Sequence, residues 1–181
     1  MISKKIKILG ISGSTRRDST SESILKVLKE YFHETIEIDI YTNLADLPHF
    51  NPDFDTDKAP NSVEQFRERI KSSDAVLFCT PEYVFSLPGS LKNAIEWTVS
   101  TTLFSSKPVG MIVAAASGEK AFESLELILV TLESILSENS KLLIKGAKGK
   151  RGKDGKFNDS KIFSSLKKLV EFLVLTIEGR K

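Results

Sequence analysis

The stretch KIKILGISGSTRRDSTSESILKVLKEYF, residues 5–32, contains the unit on which the predicted fold is built. It begins with a short apolar run at 5–11, which is typical of a buried strand. A turn rich in serine, threonine and glycine follows, and apolar residues then recur at helical spacing over 20–32. The stretch therefore predicts a strand, a polar turn and a helix in succession.

The same alternation continues to the end of the chain. Strands are predicted at 5–11, 35–41, 74–80, 108–116 and 141–144, and helices at 20–32, 62–72, 88–101, 120–137 and 159–178. Three of the strands are uniformly apolar, which indicates burial on both faces. Right-handed crossovers between such units predict an α/β fold, a three-layer flavodoxin-like sandwich whose five-stranded parallel sheet has the order 2-1-3-4-5 with helices on both faces.

Length and composition are those of one globular unit. The 181 residues are 40% hydrophobic and 28% charged, so we expect a single domain over residues 1–181. The net charge of +2 is too small to indicate nucleic-acid binding. No apolar stretch approaches the ~20 residues that span a membrane, and the N-terminal run is too short for a signal peptide.

Cysteine and histidine are scarce. Cys79 is the single cysteine, and His33 and His49 are far apart in the sequence, so no metal site is predicted. A single thiol suits a reducing compartment, and we expect a cytoplasmic protein.

The turn at residues 12–21 follows the first strand and opens the first helix, where free backbone N–H groups favour an anion. Its hydroxyls and one guanidinium would add hydrogen-bond donors, from Ser14, Arg16, Ser19, Thr20 and Ser21. The Gly-Lys-Ser/Thr ending of a nucleotide triphosphate loop and the third glycine of a dinucleotide fingerprint are missing, so a monophosphate is predicted. The alternative is that these hydroxyls serve only as turn and N-cap residues.

A second loop, TPEYVFSLPG at residues 80–89, follows the third strand. Two prolines and a glycine restrict its path, which suits contact with the edge of a planar ligand. Tyr83 and Phe85 offer aromatic faces for stacking, or alternatively plug the top of the core.

These loops together resemble the NADPH-dependent FMN reductase family. The resemblance rests on Gly-Ser-x-Arg with Ser19, on PEY at 81–83 and on SLPGSLKNAIEW at 86–97, with further similarity at 46–48, 51–53, 117–118 and 154–157. It covers essentially the whole chain. It implies FMN as the cofactor and NADPH or NADH as the electron donor.

The resemblance also implies the residues that contact FMN. They are Ser14, Arg16, Ser19 and Ser21 for the phosphate, with Thr20 in the same turn, Pro81, Glu82, Tyr83 and Val84 for the ring, and Ser117 and Gly118 in a third loop. The family commonly has Asn where this chain has Ser21 and Val84. Glu82 is expected to contribute through its backbone, with its side chain towards solvent or a partner subunit. No catalytic residue is assigned, because the flavin carries the chemistry.

The implied function is an oxidoreductase that passes electrons from the nicotinamide through the flavin to a small acceptor, namely a flavin, quinone, azo compound or metal oxyanion. The alternative is a flavodoxin-type electron carrier, although such carriers are usually strongly acidic. A phosphatase-like enzyme is disfavoured, because no arginine closely follows Cys79.

The resemblance further implies a homodimer or homotetramer with the third helix near the contact. Trp97 lies off the apolar stripe of that helix, so it is expected to be exposed or to anchor an interface.

Two segments lack regular periodicity. Residues 43–59 are predicted to form an ordered excursion that could wall a pocket. Residues 146–155 are predicted to form a solvated loop, and the alternative for Lys148, Lys150 and Arg151 is contact with the 2′-phosphate of NADPH.

Overall fold

The computed structural model of the protein describes residues 5–56, 58–150 and 159–180. The strands are β1 (Ile6–Ser12), β2 (Ile36–Tyr41), β3 (Ala75–Thr80), β4 (Val109–Ala115) and β5 (Lys141–Lys145). The α-helices are α1 (Thr20–Phe32), α2 (Asn61–Ser72), α3 (Gly89–Glu96), α4 (Glu119–Thr131) and α5 (Ser160–Glu178). All strand pairs are parallel and the order is β2-β1-β3-β4-β5, which confirms the predicted fold.

Helices cover both faces of the sheet. Successive strand residues point to opposite faces, so Ile8 packs towards α1 and α5 while Leu9 packs towards α2, α3 and α4. All six residues of β3 are buried, because this central strand is covered on both sides. Its uniformly apolar sequence is therefore the consequence of its central place.

Helices α3 and α4 are shorter than predicted. Helix α3 ends at Glu96, and the Thr98 hydroxyl then donates to the carbonyl of Ile95 at 2.7 Å, competing with continued helical bonding. Helix α4 ends at Thr131, and Glu133 takes a left-handed conformation. That turn directs Ile135 alongside the start of β4, where its N–H donates to Lys107 O at 2.8 Å.

The excursion is ordered over its described residues, 43–56 and 58–59, and packs against α3. Its described part contains short 3-10 turns at Leu44–Asp46 and Pro52–Phe54. The Asn93 side chain accepts from Phe50 N at 2.7 Å and donates to Pro48 O at 2.9 Å. These bonds hold the excursion from the side of the helix.

Trp97 is completely buried, so the expectation of an exposed or interface residue is wrong. Its indole N–H donates to Pro48 O at 2.8 Å, and its ring meets Phe50 edge to face at 5.1 Å. Trp97 keeps a helical conformation at the end of α3, on the same side as Asn93, and it is buried because the excursion packs against that side.

Arg67 of α2 joins the same excursion to the end of α3. Its guanidinium donates to Asp55 Oδ1 at 2.5 Å and to Trp97 O at 2.7 Å. Burial opposes ionisation of Asp55, but hydrogen bonds from Arg67 and Ser100 outweigh it and lower the pKa of this carboxyl. The excursion is thus fixed at two places.

Among the helices in the described part of the chain, none combines the length and apolar character that crossing a bilayer requires.

The loop after β3 contains a tight two-residue turn. Tyr83 N donates to Ser86 O at 3.0 Å and Ser86 N donates to Tyr83 O at 3.1 Å. Val84 and Phe85 between them have φ values of +51° and +54°. A β-branched residue in this region is strained, so Val84 stores conformational energy.

We expect Val84→Asn to raise the free energy of unfolding by about 1 kcal/mol, because Asn tolerates the left-handed region and Val does not. Val84 is 95% exposed, so little burial is lost. Urea denaturation of the apoprotein measures the change. The control is Val99→Asn, at an exposed valine outside the positive-φ positions, which should leave the free energy nearly unchanged. Equal effects of the two substitutions would contradict the strain at Val84.

Candidate functional site

A cavity of about 330 Å³ lies at the carboxyl edge of the sheet, the edge where ligands bind in folds of this kind. Eight of the eleven predicted site residues line it: Ser14, Arg16, Ser19, Thr20, Ser21, Pro81, Glu82 and Tyr83. The turn after β1 and the loop after β3 therefore meet in one cavity. Val84, Ser117 and Gly118 are outside its lining.

The turn after β1 is pressed against the end of β3. Gly13 N donates to Cys79 O at 2.8 Å. A Cβ at Gly13 would lie 2.3 Å from Thr80 Oγ1, closer than non-bonded atoms approach, so glycine is required by the space available. This contact sets the position of the hydroxyl-rich turn relative to the second loop.

Two of the predicted hydroxyls accept hydrogen bonds from backbone N–H groups of the same turn. Ser19 is the N-cap of α1, and its Oγ accepts from Glu22 N at 3.1 Å. Ser14 Oγ accepts from Arg16 N at 3.3 Å. For these two serines the turn-and-cap interpretation accounts for a contact that the structure shows.

Ser21 differs from its neighbours. It is 1% exposed, and among the described residues its Oγ makes no hydrogen bond beyond a weak interaction with the buried Cys79 sulfur. A buried hydroxyl without a strong partner is unfavourable in a finished structure, since burial costs free energy that a hydrogen bond normally offsets. The cap interpretation leaves this hydroxyl unexplained.

The loop after β3 presents its aromatic residues outwards. Tyr83 borders the cavity and is half exposed, and Phe85 is 77% exposed. The alternative in which these rings plug the core is therefore wrong. Tyr83 is placed to cover a ligand in the cavity, while Val84 and Phe85 project beyond it.

Glu82 directs its side chain inwards, contrary to the expectation of solvent or a partner subunit. Its carboxylate accepts from the backbone N–H groups of Gly118, Lys120 and Ala121 at 3.0–3.1 Å. These groups belong to the N-terminus of α4, which has no side-chain cap of its own from Gly118. The third predicted loop is thus tied to the second by a side chain.

Small residues from β4 and from the segment after β5 complete the lining. They are Ala114, Ala115, Ala116, Gly146, Ala147 and Gly149, none of which was predicted as a site residue. Gly146 N donates to Ala116 O at 3.1 Å, which brings this segment to the end of β4. Their position at predicted strand ends was the available signal, because small side chains there leave room for a ligand.

The basic residues at 148–153 cannot be placed at the cavity. Gly149 lines it, but the side chains of Lys148 and Lys150 and the whole of Arg151 lie outside what the structure describes. Their proposed contact with a nicotinamide phosphate stays a prediction.

Cys79 is unsuited to nucleophilic chemistry. It is fully buried, and burial raises the pKa of its thiol to about 12, with the nearby Ser21 hydroxyl opposing the rise. A thiol in this state is not ionised near neutral pH, which agrees with the rejection of a phosphatase-like enzyme.

Comparison with known proteins finds relatives among flavin-dependent reductases. The model of the NADPH-dependent FMN reductase family matches residues 6–148. The chain is 32% identical to the NAD(P)H-dependent FMN reductase of Pseudomonas aeruginosa over 97% of each protein. It is 30% identical to a quinone reductase of Pseudomonas putida, over 87% of this chain and 88% of that protein.

A solved structure agrees. The flavoenzyme NAD(P)H:(acceptor) oxidoreductase FerB of Paracoccus denitrificans superposes with a TM-score of 0.83 at 30% identity, over 96% of this chain and 98% of that one. The family match over residues 6–148 and the relatives at 30–32% identity over most of both chains lead to one conclusion: the chain belongs to the NADPH-dependent FMN reductase family.

Proposed function

We propose that this protein is an FMN-dependent oxidoreductase that takes electrons from NADPH or NADH and passes them to a small acceptor: a flavin, a quinone, an azo compound or a metal oxyanion. The observation that carries the proposal is the meeting of the N-terminal turn of α1 with residues 81–83 in one cavity. The names of the relatives, FMN reductase and quinone reductase, support the same reaction class.

The turn at the start of α1 fits the phosphate of FMN. The first N–H groups of a helix lack partners within it and carry partial positive charge, which favours a dianion. Arg16 lines the same part of the cavity and adds a full positive charge. The Ser21 hydroxyl supports this placement, because it lacks a strong hydrogen bond within the described residues and a ligand or a water held by it would supply one.

The other side of the cavity fits a flat ring. Pro81 restricts the backbone there, Tyr83 offers an aromatic face, and the alanines at the end of β4 leave the space open. We therefore assign residues 81–83 to the ring. Val84, Ser117 and Gly118 stay predicted contacts, and they lie outside the cavity lining.

Bound FMN would supply the redox chemistry, accepting two electrons from a nicotinamide and delivering them singly or in pairs. The work of this chain is to bind and orient the cofactor and to leave its ring accessible to donor and acceptor. Tyr83 is half exposed at the cavity, which keeps that approach open. No side chain is assigned as an acid or base.

A flavodoxin-type carrier is the competing function. The net charge of +2 is unlike the strongly acidic carriers, and the relatives named above are reductases. The reductase assignment is therefore preferred.

We make three related proposals, for domain organisation, location and partners. Residues 1–181 would act as one FMN-binding domain in the cytoplasm, with no nucleic-acid or membrane partner. The small net charge and the single, buried Cys79 support this part of the proposal.

Arg16→Ala should raise the Kd for FMN about tenfold or more, because one charged hydrogen-bonding group is lost from the phosphate side. Titration of apoprotein by flavin fluorescence quenching measures it. Arg17→Ala is the matched control, since it removes the same charge from a neighbour outside the cavity lining and should leave the Kd within about twofold. Equal losses for both variants would count against the assignment of Arg16.

Anaerobic addition of NADPH or NADH to the FMN-loaded protein should bleach the flavin absorbance, because the bound flavin would be reduced by the nicotinamide. Reoxidation by an added quinone should then restore it. A carrier would stay oxidised with NADPH and NADH alike, and that result would reverse the choice between the two functions.

We further propose a homodimer or homotetramer. Trp97 is buried and does not supply the contact, and the outward side of α3 carries the exposed Lys92–Glu96 pair. Leu127 and Val130 of α4, in contrast, are exposed and apolar. Size-exclusion chromatography with light scattering should give a mass at least twice the 20.1 kDa of one chain. The measurement is made at about 10 µM protein, because a dimer with a Kd near 1 µM is mostly assembled at that concentration. A single 20.1 kDa species would rule the assembly out under these conditions.

A further inference from the structure

We propose that Glu82 is a positioning residue: its carboxylate fixes the separation between the loop after β3 and the start of α4, and its charge lowers the reduction potential of the bound cofactor. The inference rests on the proposed function, because it concerns the same cavity.

Both oxygens of the carboxylate are engaged. Oε1 accepts from Gly118 N at 3.1 Å, and Oε2 accepts from Lys120 N and Ala121 N, each at 3.0 Å. Hydrogen bonds to an ionised acceptor are stronger than neutral ones. Three of them from one side chain make a firm link between segments that are more than 30 residues apart in the chain.

The hydrogen bonds of Glu82 fix a segment whose residues line the cavity. Pro81 and Tyr83, the neighbours of Glu82 on each side, both line it. On the other side of the link, Gly118 has a φ of +95°, and a Cβ there would lie 2.7 Å from Leu143 Cδ1. Helix α4, which receives the bonds, is anchored in the core by the fully buried Ala121 and Leu125, whereas Val84 and Phe85 in the loop after β3 are exposed. It is therefore the loop carrying Tyr83 that is positioned by the bond.

The charge has a second consequence. Glu82 itself borders the cavity, and its carboxylate offsets the positive end of α4. Electron uptake by a bound ring builds up negative charge, which a neighbouring carboxylate disfavours. Loss of the carboxylate removes a negative charge and uncovers the helix N-terminus, and both changes favour the reduced state. Replacement by a neutral residue should therefore make the potential more positive.

Two substitutions both weaken the link, and only one of them removes the charge. Glu82→Gln keeps the length of the side chain but loses the charge and one of the two acceptor oxygens, so it cannot accept from all three N–H groups. Glu82→Asp keeps the charge and is one methylene too short to reach all three. Glu123→Gln is the matched control, because Glu123 is an exposed carboxylate in the first turns of the same helix that pairs with Lys120 and lies outside the cavity lining.

The first measurement uses the full-length apoprotein without cofactor. Amide hydrogen exchange at Gly118, Lys120 and Tyr83 should accelerate at least tenfold in both Glu82 variants. A change of this size is expected when charge-assisted hydrogen bonds are broken. Exchange at the same three residues should be unchanged in Glu123→Gln. Unchanged exchange at Tyr83 would mean that Glu82 only caps α4, and the positioning role would be lost.

The second measurement uses the FMN-loaded protein. The Kd for FMN should rise about tenfold in Glu82→Asp and Glu82→Gln, whereas only Glu82→Gln should show a more positive midpoint potential by redox-dye equilibration. Wild-type Kd and potential in both variants, with reduced stability to urea, would overturn the proposal. Failure of the wild-type protein itself to bind FMN would instead reject the proposed function, and the exchange experiment would still decide whether Glu82 holds the loop.

Discussion

The backbone contact between the turn after β1 and the end of β3 is the constraint on which the site depends. Gly13 N donates to Cys79 O, and the absence of a side chain at Gly13 lets the turn lie directly against Thr80. The pairing of β1 with β3, which ends at Ser12 and Cys79, is thereby extended by one residue beyond the strand. As a result the start of α1 and the loop after β3 border the same cavity.

A second set of contacts fixes the surroundings of α3. The motif SLKNAIEW carries much of the family resemblance, yet its Asn93 and Trp97 hold the excursion at Pro48 and do not line the cavity. The excursion, expected as a wall of a pocket, contributes no described residue to the cavity lining. A residue that carries a resemblance can therefore serve the scaffold, and its role is assigned from its contacts.

The strands and helices were predictable because each buries a face with its own period, two in the strands and 3.6 in the helices. Helix ends were harder. The Thr98 hydroxyl and the left-handed Glu133 stop α3 and α4 early, and both depend on local hydrogen bonds that periodicity does not represent. Trp97 was misjudged for a different reason: the excursion at Pro48 and Phe50, more than 40 residues earlier in the chain, covers that side of α3 and buries the ring. Glu82 was assigned to the site correctly as a lining residue but with the wrong side-chain direction, since its partners lie beyond β4 and α3 in the sequence.

By itself the sequence determined the layer architecture, the strand order and the two loops that meet at the carboxyl edge, because apolar periodicity and right-handed crossovers act on short segments of chain. Only the tertiary structure decided which hydroxyls keep their bonding capacity. The Ser19 hydroxyl caps α1 and the Ser21 hydroxyl does not, although in the sequence both are simply serines of the same turn. It also decided that the carboxylate of Glu82 binds α4, because a hydrogen bond depends on distance and direction in space and is independent of separation along the chain.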